Sequence, residues 1–444
     1  MKRELHDSHQ QVEELKKQVT ELQSEVGAAQ QRATGADALK ADVDQLREDQ
    51  AVVHSQLRTF DQTKVTTESK YPLSITGMLL FNSFVVDGSV DNPTLPLIAL
   101  PQNNDYTHHS LGASVRQTEI GLHATGPRVW NARTSADVMT DFFDQPGYTS
   151  TVTTTAPQSN LHLRTADVTL DWTNTQVSAG YETPMISLLS PTSFATVGEP
   201  SLAWSGNLWT WLPQVTVEQK IPMSGTSRAV LGFGLLDPTT DDITSEQSYG
   251  ITRRSLQPGY EARASYQWGD SQRPWQIGFN GYFTRQLYYG DDSLNFWAGT
   301  ADWRIPLSRI AELSGEFYRG SGIGDLGGGA FKNIVIGYEG KYAHALDATG
   351  GWTQLKARFN PVTEANVFWG EDDADAGELR DGNPMSVTSA YFYLTRNRGV
   401  GANLIFRPKS YLVFSGEYRN LRSWYIYGPA QSAGDMTLTM GYLF

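Results

Sequence analysis

An all-β transmembrane fold, an antiparallel barrel of about 16 strands preceded by an α-helical coiled coil, is the class the sequence predicts. Three observations predict it. A heptad stripe is confined to residues 1–57, apolar and polar residues alternate from Tyr71 onward, and the connections between alternating segments are short and long in turn. Residues 58–70 read as a linker and 71–444 as the barrel.

The composition allows this class and excludes others. A mean hydropathy of −0.40 is too polar for a helical membrane protein, and no stretch approaches the roughly 18 to 20 apolar residues a membrane-spanning helix needs. A barrel conceals its membrane signal, because inward polar residues average against outward apolar ones. The 12 Trp, 20 Tyr and 18 Phe are numerous enough to supply an apolar band with aromatic rims. The absence of Cys fits an oxidising, periplasmic route. A formal charge of −13 argues against nucleic acid as a partner, since phosphate binding needs a basic footprint. The opening Met1-Lys2-Arg3-Glu4-Leu5-His6 is followed by no apolar run of a secretory leader, so a processed or recombinant form is expected.

In the first element Leu5, Val12, Val19 and Val26 recur every seven residues, with Leu15 and Leu22 three after the neighbouring Val. This is a seam with mostly Val at a and Leu at d. It breaks at Thr34-Gly35 and resumes with Leu39, Val43, Leu46, Val53 and Leu57, Gln50 taking one seam position. At about 1.5 Å per residue, a continuous rod would be about 85 Å long. Such a helix cannot bury its seam alone, so a homo-oligomer is expected. The alternative is an amphipathic helix folded back on its own barrel.

In the strand region, residues 129–143 place Trp130, Ala132, Ala136, Val138 and Phe142 on one face and Asn131, Arg133, Ser135, Asp137 and Asp141 on the other. Residues 260–268 alternate Tyr260, Ala262, Ala264, Tyr266 and Trp268 against Glu261, Arg263, Ser265 and Gln267. Residues 275–284 and 352–359 repeat the pattern, with Phe279 and Leu355 opposed by Asn280 and Lys356. Tight connections fall at 126–128, near Asn174, and at 306–307, 360–362 and 408–409. Long ones fall at about 88–111, 144–160, 183–212, 239–257, 371–388 and 424–434. The chain ends in a strand with Met436, Leu438, Met440, Tyr442 and Phe444 on one face, which resembles the assembly signal of bacterial outer-membrane proteins.

Counting strands from both ends gives about sixteen, an even number, as a barrel with both termini in the periplasm requires. The strand-like piece from Asn333 to Glu339 would make the count odd, so it is assigned to an outer connection over 320–350.

The coiled-coil prefix, the first strand Ile75-Thr76-Gly77-Met78-Leu79-Leu80-Phe81, the Gly315–Gly320 strand end and the Gly399–Arg407 strand together resemble the DcaP-like porins. The phosphate-selective porins look like more distant relatives. The resemblance implies a trimer of sixteen-stranded outer-membrane barrels, helices bundled on the periplasmic side, and uptake of small, often anionic, solutes. Val at a with Leu at d favours two-stranded coils, so the barrels would have to dictate trimerisation.

Function is then expected from charged side chains facing the pore. By parity these are Arg133, Asp137, Arg263, Glu312, Glu316, Lys356, Arg358, Glu417 and Arg419, together with Arg304, Arg407, Glu119, Asp141, Asp167 and Glu261. Lys356 and Arg358, two cations on one face without an intervening acid, are the anion-attracting candidates. The bland reading of any one of them is a paired ion that keeps the interior wet, and a one-residue register shift would invert the set.

Gly320–Gly329 has no following helix, so a flexible pore loop is expected and not a phosphate cradle. Glu371–Asp375 with Glu378 reads as a solvated acidic outer loop that could bridge to lipopolysaccharide through divalent ions. His108-His109 lacks the spaced partners of a metal site, and no catalytic motif stands out, so neither a cofactor nor an enzyme is expected. The expected role is passive diffusion of small hydrophilic solutes. The rival is a structural anchor whose rod tethers the outer membrane to peptidoglycan or a periplasmic protein.

Overall fold

The structure is a computed structural model that describes residues 72–101, 109–143, 160–237, 257–270, 273–287, 293–336, 343–382 and 393–444. The expected coiled coil, with its seam Leu5, Val12, Leu15, Val19, Leu22 and Val26, and the linker lie outside the described residues.

The alternating segments form β1 (Leu73–Asp87), β2 (His109–Ser114), β3 (Glu119–Thr125), β4 (Arg133–Asp141), β5 (His162–Asp171), β6 (Thr175–Glu182), β7 (Leu212–Pro222), β8 (Arg228–Leu236), β9 (Gly259–Gly269) and β10 (Pro274–Leu287). They continue with β11 (Ser293–Pro306), β12 (Ala311–Ser321), β13 (Ile334–Ile336), β14 (Ala343–Ala345), β15 (Asp347–Asn360), β16 (Thr363–Ala374), β17 (Leu394–Lys409), β18 (Leu412–Tyr425) and β19 (Gln431–Leu443). Among the described residues, all but β13 and β14 join one antiparallel sheet, in which each strand pairs with its neighbours in sequence.

The sheet closes where β19 returns to β1, with Met78 opposite Leu443 and Asp87 opposite Gly434. At the seam Gly77 and Phe444 exchange both backbone hydrogen bonds at 3.0 Å. Gly77 is required there, because a Cβ would stand 2.4 Å from the Glu119 carbonyl and 2.8 Å from the Phe444 ring. Closure leaves no sheet edge to aggregate. β2 and β3 pair with successive halves of β1 across an irregularity at residues 115–118, so they act as one wall strand and the barrel has sixteen. The even count from the sequence holds. The Asn333 piece, as expected, is no wall strand: β13 pairs only with β14.

The tight turns fall on the rim where β1 begins and β19 ends. At one of them the expected strand over 129–143 starts late, at Arg133. Val129 and Ala132 each donate to the other's carbonyl, at 3.1 and 2.8 Å, around Trp130 and Asn131 with φ of 49° and 66°. Two successive positive φ values make a hairpin turn of the type I′ kind, usually marked by Asn-Gly. Trp in place of a turn former hid it, and Trp130 is a turn tip, not a wall residue.

Large apolar side chains cover the outer face, Leu79, Phe279, Phe359 and Leu438 among them, and 52, 62, 58 and 56% of their surface is exposed. A soluble sandwich shelters such a face under a second layer, whereas here the buried side is the barrel interior. Three of the long outer connections turn inward. Leu95, Leu97 and Ile98 of the 88–108 connection, Ala203 of the 183–211 connection, and Ala330, Phe331 and Leu346 of the 322–346 connection form one buried cluster with wall residues Leu394 and Tyr425.

Candidate functional site

The interior is built by the inward-facing half of each strand and by the three loops that enter it. The 183–211 loop crosses from wall to wall through specific hydrogen bonds. The Ile186 carbonyl accepts from Thr300 of β11 at 3.2 Å, and the Thr192 amide donates to Gln354 of β15 at 2.7 Å. Ser193 donates to Glu417 of β18 at 2.6 Å, while Gln117 grips the amides of Val197 and Gly198 at 2.5 and 2.8 Å. Where the loop reaches the wall, backbone lies against backbone. Gly206 has φ of +102°, and a Cβ on it would stand 2.2 Å from the Gly351 carbonyl. A Cβ on Gly370 would meet the Ser205 carbonyl at 2.4 Å. Glycine at loop position 206 and at wall position 370 of β16 lets the loop and wall backbones settle closely.

The Gly320–Gly329 stretch, expected to be a flexible pore loop, is packed instead. Asp372, fully buried on β16, accepts from Tyr318 at 2.5 Å and from the amides of Gly329 and Ala330 at 3.1 and 2.6 Å. Glycines at 322, 327 and 329 take left-handed φ values that shape this turn. The acidic run is correspondingly not a solvated loop: Glu371, Asp372 and Asp373 belong to β16, and Glu371 pairs with Arg398 at 2.5 Å. Asp375 follows as N-cap of the short helix Ala376–Asp381. Among the described residues no group of three or more His, Asp or Glu could hold a metal ion.

The structure sets the sequence-selected charges as follows. Arg133 pairs with Asp171 at 2.6 Å near the rim of tight turns, and Asp137 with His123 at 2.7 Å. Arg263 is buried against Asp302, at 2.5 and 3.0 Å, with Asn280 at 2.7 Å. Glu312 lies 3.8 Å from Arg273. Glu316 is 1% exposed, and neither of its carboxylate oxygens has a hydrogen-bond partner. Glu417 accepts from Ser193 and Asn403, and Arg419 donates to Asp435 at 2.5 and 3.1 Å.

Lys356 and Arg358 have a neighbour the single-strand reading missed. Glu364 of β16 stands 3.9 Å from Lys356, 3.7 Å from Arg358 and 3.6 Å from Arg407 of β17. An acid does intervene, supplied by the adjacent strand, yet three cations share it. Arg407 also lies over the Phe194 ring of the crossing loop, 5.2 Å from its centre. Eight places round the barrel in either direction from β15 and β16 stand β5 and β6, whose inner faces carry Asp167 and Glu182, with Asp137 on the adjacent β4. Asp137 and Arg358 remain 48% and 42% exposed, so both walls keep charge in contact with water.

Arg164 is the chief omission of the sequence reading. Opposite Met139 and Thr140 the register skips it, a bulge that inverts parity within β5. The guanidinium therefore turns inward, 2.8 Å from Asp141 and 3.3 Å from Glu119, and donates to the Val197 carbonyl at 2.7 Å.

No protein-family model and no curated protein matches the chain. Among solved structures, the outer-membrane channel DcaP of Acinetobacter baumannii superposes with a TM-score of 0.64 at 16% identity, over 85% of this chain and 99% of that one. A loop L8 deletion mutant of OmpT from Vibrio cholerae gives 0.47 at 10% identity, over 85% and 100%. OprB of Pseudomonas putida gives 0.48 at 9% identity, over 84% and 94%. At these identities the likeness shows the fold alone. The chain folds as a closed sixteen-stranded antiparallel β-barrel, the fold of the outer-membrane channel DcaP.

Proposed function

We propose that this barrel is a porin through which small hydrophilic solutes diffuse passively, with a weak preference for anions. The observation that carries the reading is the pair of charged walls facing each other across a closed barrel: Lys356, Arg358 and Arg407 around one Glu364, against Asp137, Asp167 and Glu182. Opposed charge in a low-dielectric wall sets a transverse field that orients dipolar solutes, and the crossing loop narrows the passage beside the cationic side. Arg133, Arg263, Glu312, Glu316, Glu417 and Arg419 then serve as pore lining or as the ion pairs that hold it.

The heptad stripe over 1–57 supports self-association, and the DcaP-like resemblance supports a trimer whose helices stand in the periplasm and contact the cell wall or a periplasmic protein. The outer aromatic band fits lipid and lipopolysaccharide. Planar-bilayer recording tests the function. Stepwise ion-conducting insertions with a reversal potential of anionic sign in a salt gradient are expected. Insertion without current would refute the porin reading and leave an anchor, and a cationic reversal potential would refute the anion preference.

A further inference from the structure

The outer wall changes character near the rim of long connections, where β16, β17 and β18 stand side by side. Trp369 of β16, Val400 of β17 and Tyr418 of β18 face outward and are 42, 40 and 55% exposed. Two residues further toward that rim on the same faces, the apolar band stops. Glu371 and Asp373 follow on β16, Arg398 and Arg396 on β17, and Asn420, Arg422 and Trp424 on β18. Strand register sets them in two rows: Glu371 stands opposite Arg398 and Arg398 opposite Arg422, then Asp373 opposite Arg396 and Arg396 opposite Trp424. At about 3.4 Å per residue, Arg398 is about 7 Å along the strand from Val400, a step that takes a lipid-facing strand from hydrocarbon toward headgroups.

Three arginines gather on one ring there. The guanidinium carbons of Arg396, Arg398 and Arg422 lie 4.1, 5.1 and 5.0 Å from the centre of Trp424. Like charges held this close repel, and cation–π contact at an exposed site offsets only part of the repulsion. Glu371 pairs with Arg398 at 2.5 Å and reaches Arg396 at 3.9 Å, and Asp373 opposes Arg396 in register. Arg422 is exposed, and among the described residues no carboxylate pairs with it. Beyond Asp373 the acids turn elsewhere: Asp375 caps the short helix, and Glu378 lies 3.6 Å from His344. The patch thus carries one more guanidinium than its two strand carboxylates neutralise, on a surface that faces lipid just below.

We propose that Arg396, Arg398 and Arg422, set round Trp424, bind a phosphate group of an outer-leaflet glycolipid, with Arg422 as the principal contact. The site rests on the lipid-facing reading of the outer wall. A guanidinium fork matches two phosphate oxygens at once, and the incoming anion supplies the charge that Arg422 lacks. Trp424 forms the floor at the depth where an indole is favoured, with its ring against the charges. Asn420, joined to Ser432 of β19 at 3.4 Å, adds neutral polar groups beside Arg422, and the apolar band beneath receives the acyl chains. Because the arginines meet the phosphate directly, no divalent ion is needed to bridge it to the wall.

Titration of the full-length protein in detergent with bisphosphorylated lipid A, read by native mass spectrometry, tests the site. Binding is expected to weaken with added salt and to survive a chelator. Arg422→Gln removes an exposed side chain without stranding an acid, and should weaken binding about tenfold or more. Arg422→Lys keeps the charge without the fork and should recover only part of that loss. Arg319→Gln is the control: Arg319 is outward and exposed on β12, two residues beyond Phe317, with no ring or acid upon it, and its loss should leave binding unchanged. Four results would overturn the site. They are equal binding of lipid A stripped of its phosphates, an equal loss in Arg319→Gln, release by the chelator, and displacement by inorganic phosphate at about the lipid's own concentration, which would mark a site for free anions. Insertion of the same preparations into planar bilayers reports the wall separately. A barrel that inserts yet shows no phosphate-dependent binding overturns the site alone, and one that does not insert overturns the lipid-facing reading beneath it.

Discussion

The guanidinium of Arg263 and the carboxylate of Asp302 meet along two hydrogen bonds, 2.5 and 3.0 Å long, on the inner wall of the barrel. Gln276 adds a third bond to Asp302 at 3.2 Å and Asn280 a fourth at 3.2 Å, so β9, β10 and β11 are joined by one polar network. The side chains are 4% and 2% exposed, which makes the pair sensitive to the loss of either partner.

Asp302→Ala strands the Arg263 charge in a dry site and should destabilise the barrel by about 3–5 kcal/mol. The double change Arg263→Met with Asp302→Leu should recover most of that loss, because no buried charge remains. Urea midpoints in detergent check both. A double variant as unstable as the single one would show that the network, not the stranded charge, holds these strands.

Charge reversal on the cationic wall separates field from shape. Lys356→Glu with Arg358→Glu should move the reversal potential toward cations while leaving single-channel conductance within about twofold, since the wall backbone and the crossing loop are unchanged. The same reversal potential as wild type would remove Lys356 and Arg358 from any part in selectivity.

Gln117 clamps the crossing loop with three hydrogen bonds: its carbonyl oxygen accepts from Val197 and Gly198, and its amide donates to the Ala195 carbonyl at 2.8 Å. Gln117→Ala leaves those buried backbone groups unsatisfied, a cost of about 1–3 kcal/mol for each. Channel noise should rise, and proteases should cut within 183–211 in folded barrels. Quiet channels with an uncut loop would place the loop's hold elsewhere.

Gly206→Ala tests the close approach of that loop to β15. Its φ of +102° and the 2.2 Å approach to the Gly351 carbonyl together demand displacement of the loop. The barrel should still form, judged by heat-modifiable mobility, but with altered conductance. Gly225→Ala is the control: it has a similarly positive φ in a turn with open space around it, and should leave conductance unchanged.

Much of the wall was legible because its signal is local. In β9 the inner set Glu261, Arg263 and Ser265 and the outer set Tyr266 and Trp268 follow from period two within a single strand. The omissions share a different cause. Arg164 was lost because a bulge changes parity without any mark in composition. Glu364 was lost because its partners lie on two other strands. The acidic run at 371–375 looked like a loop because its burial depends on an amide pair contributed by a distant turn.

By itself the sequence determined that the chain closes into an even-numbered antiparallel barrel, which face of most strands looks outward, and which rim carries the tight turns. Those properties depend on side-chain alternation and turn chemistry, which act over a few neighbouring residues. Only the tertiary structure decided that three outer connections fold into the interior, that Arg164 turns inward at a bulge, and that Glu364 stands among three cations. Each of these depends on contacts between residues far apart in the chain, set by strand register and loop docking, and no local period encodes them.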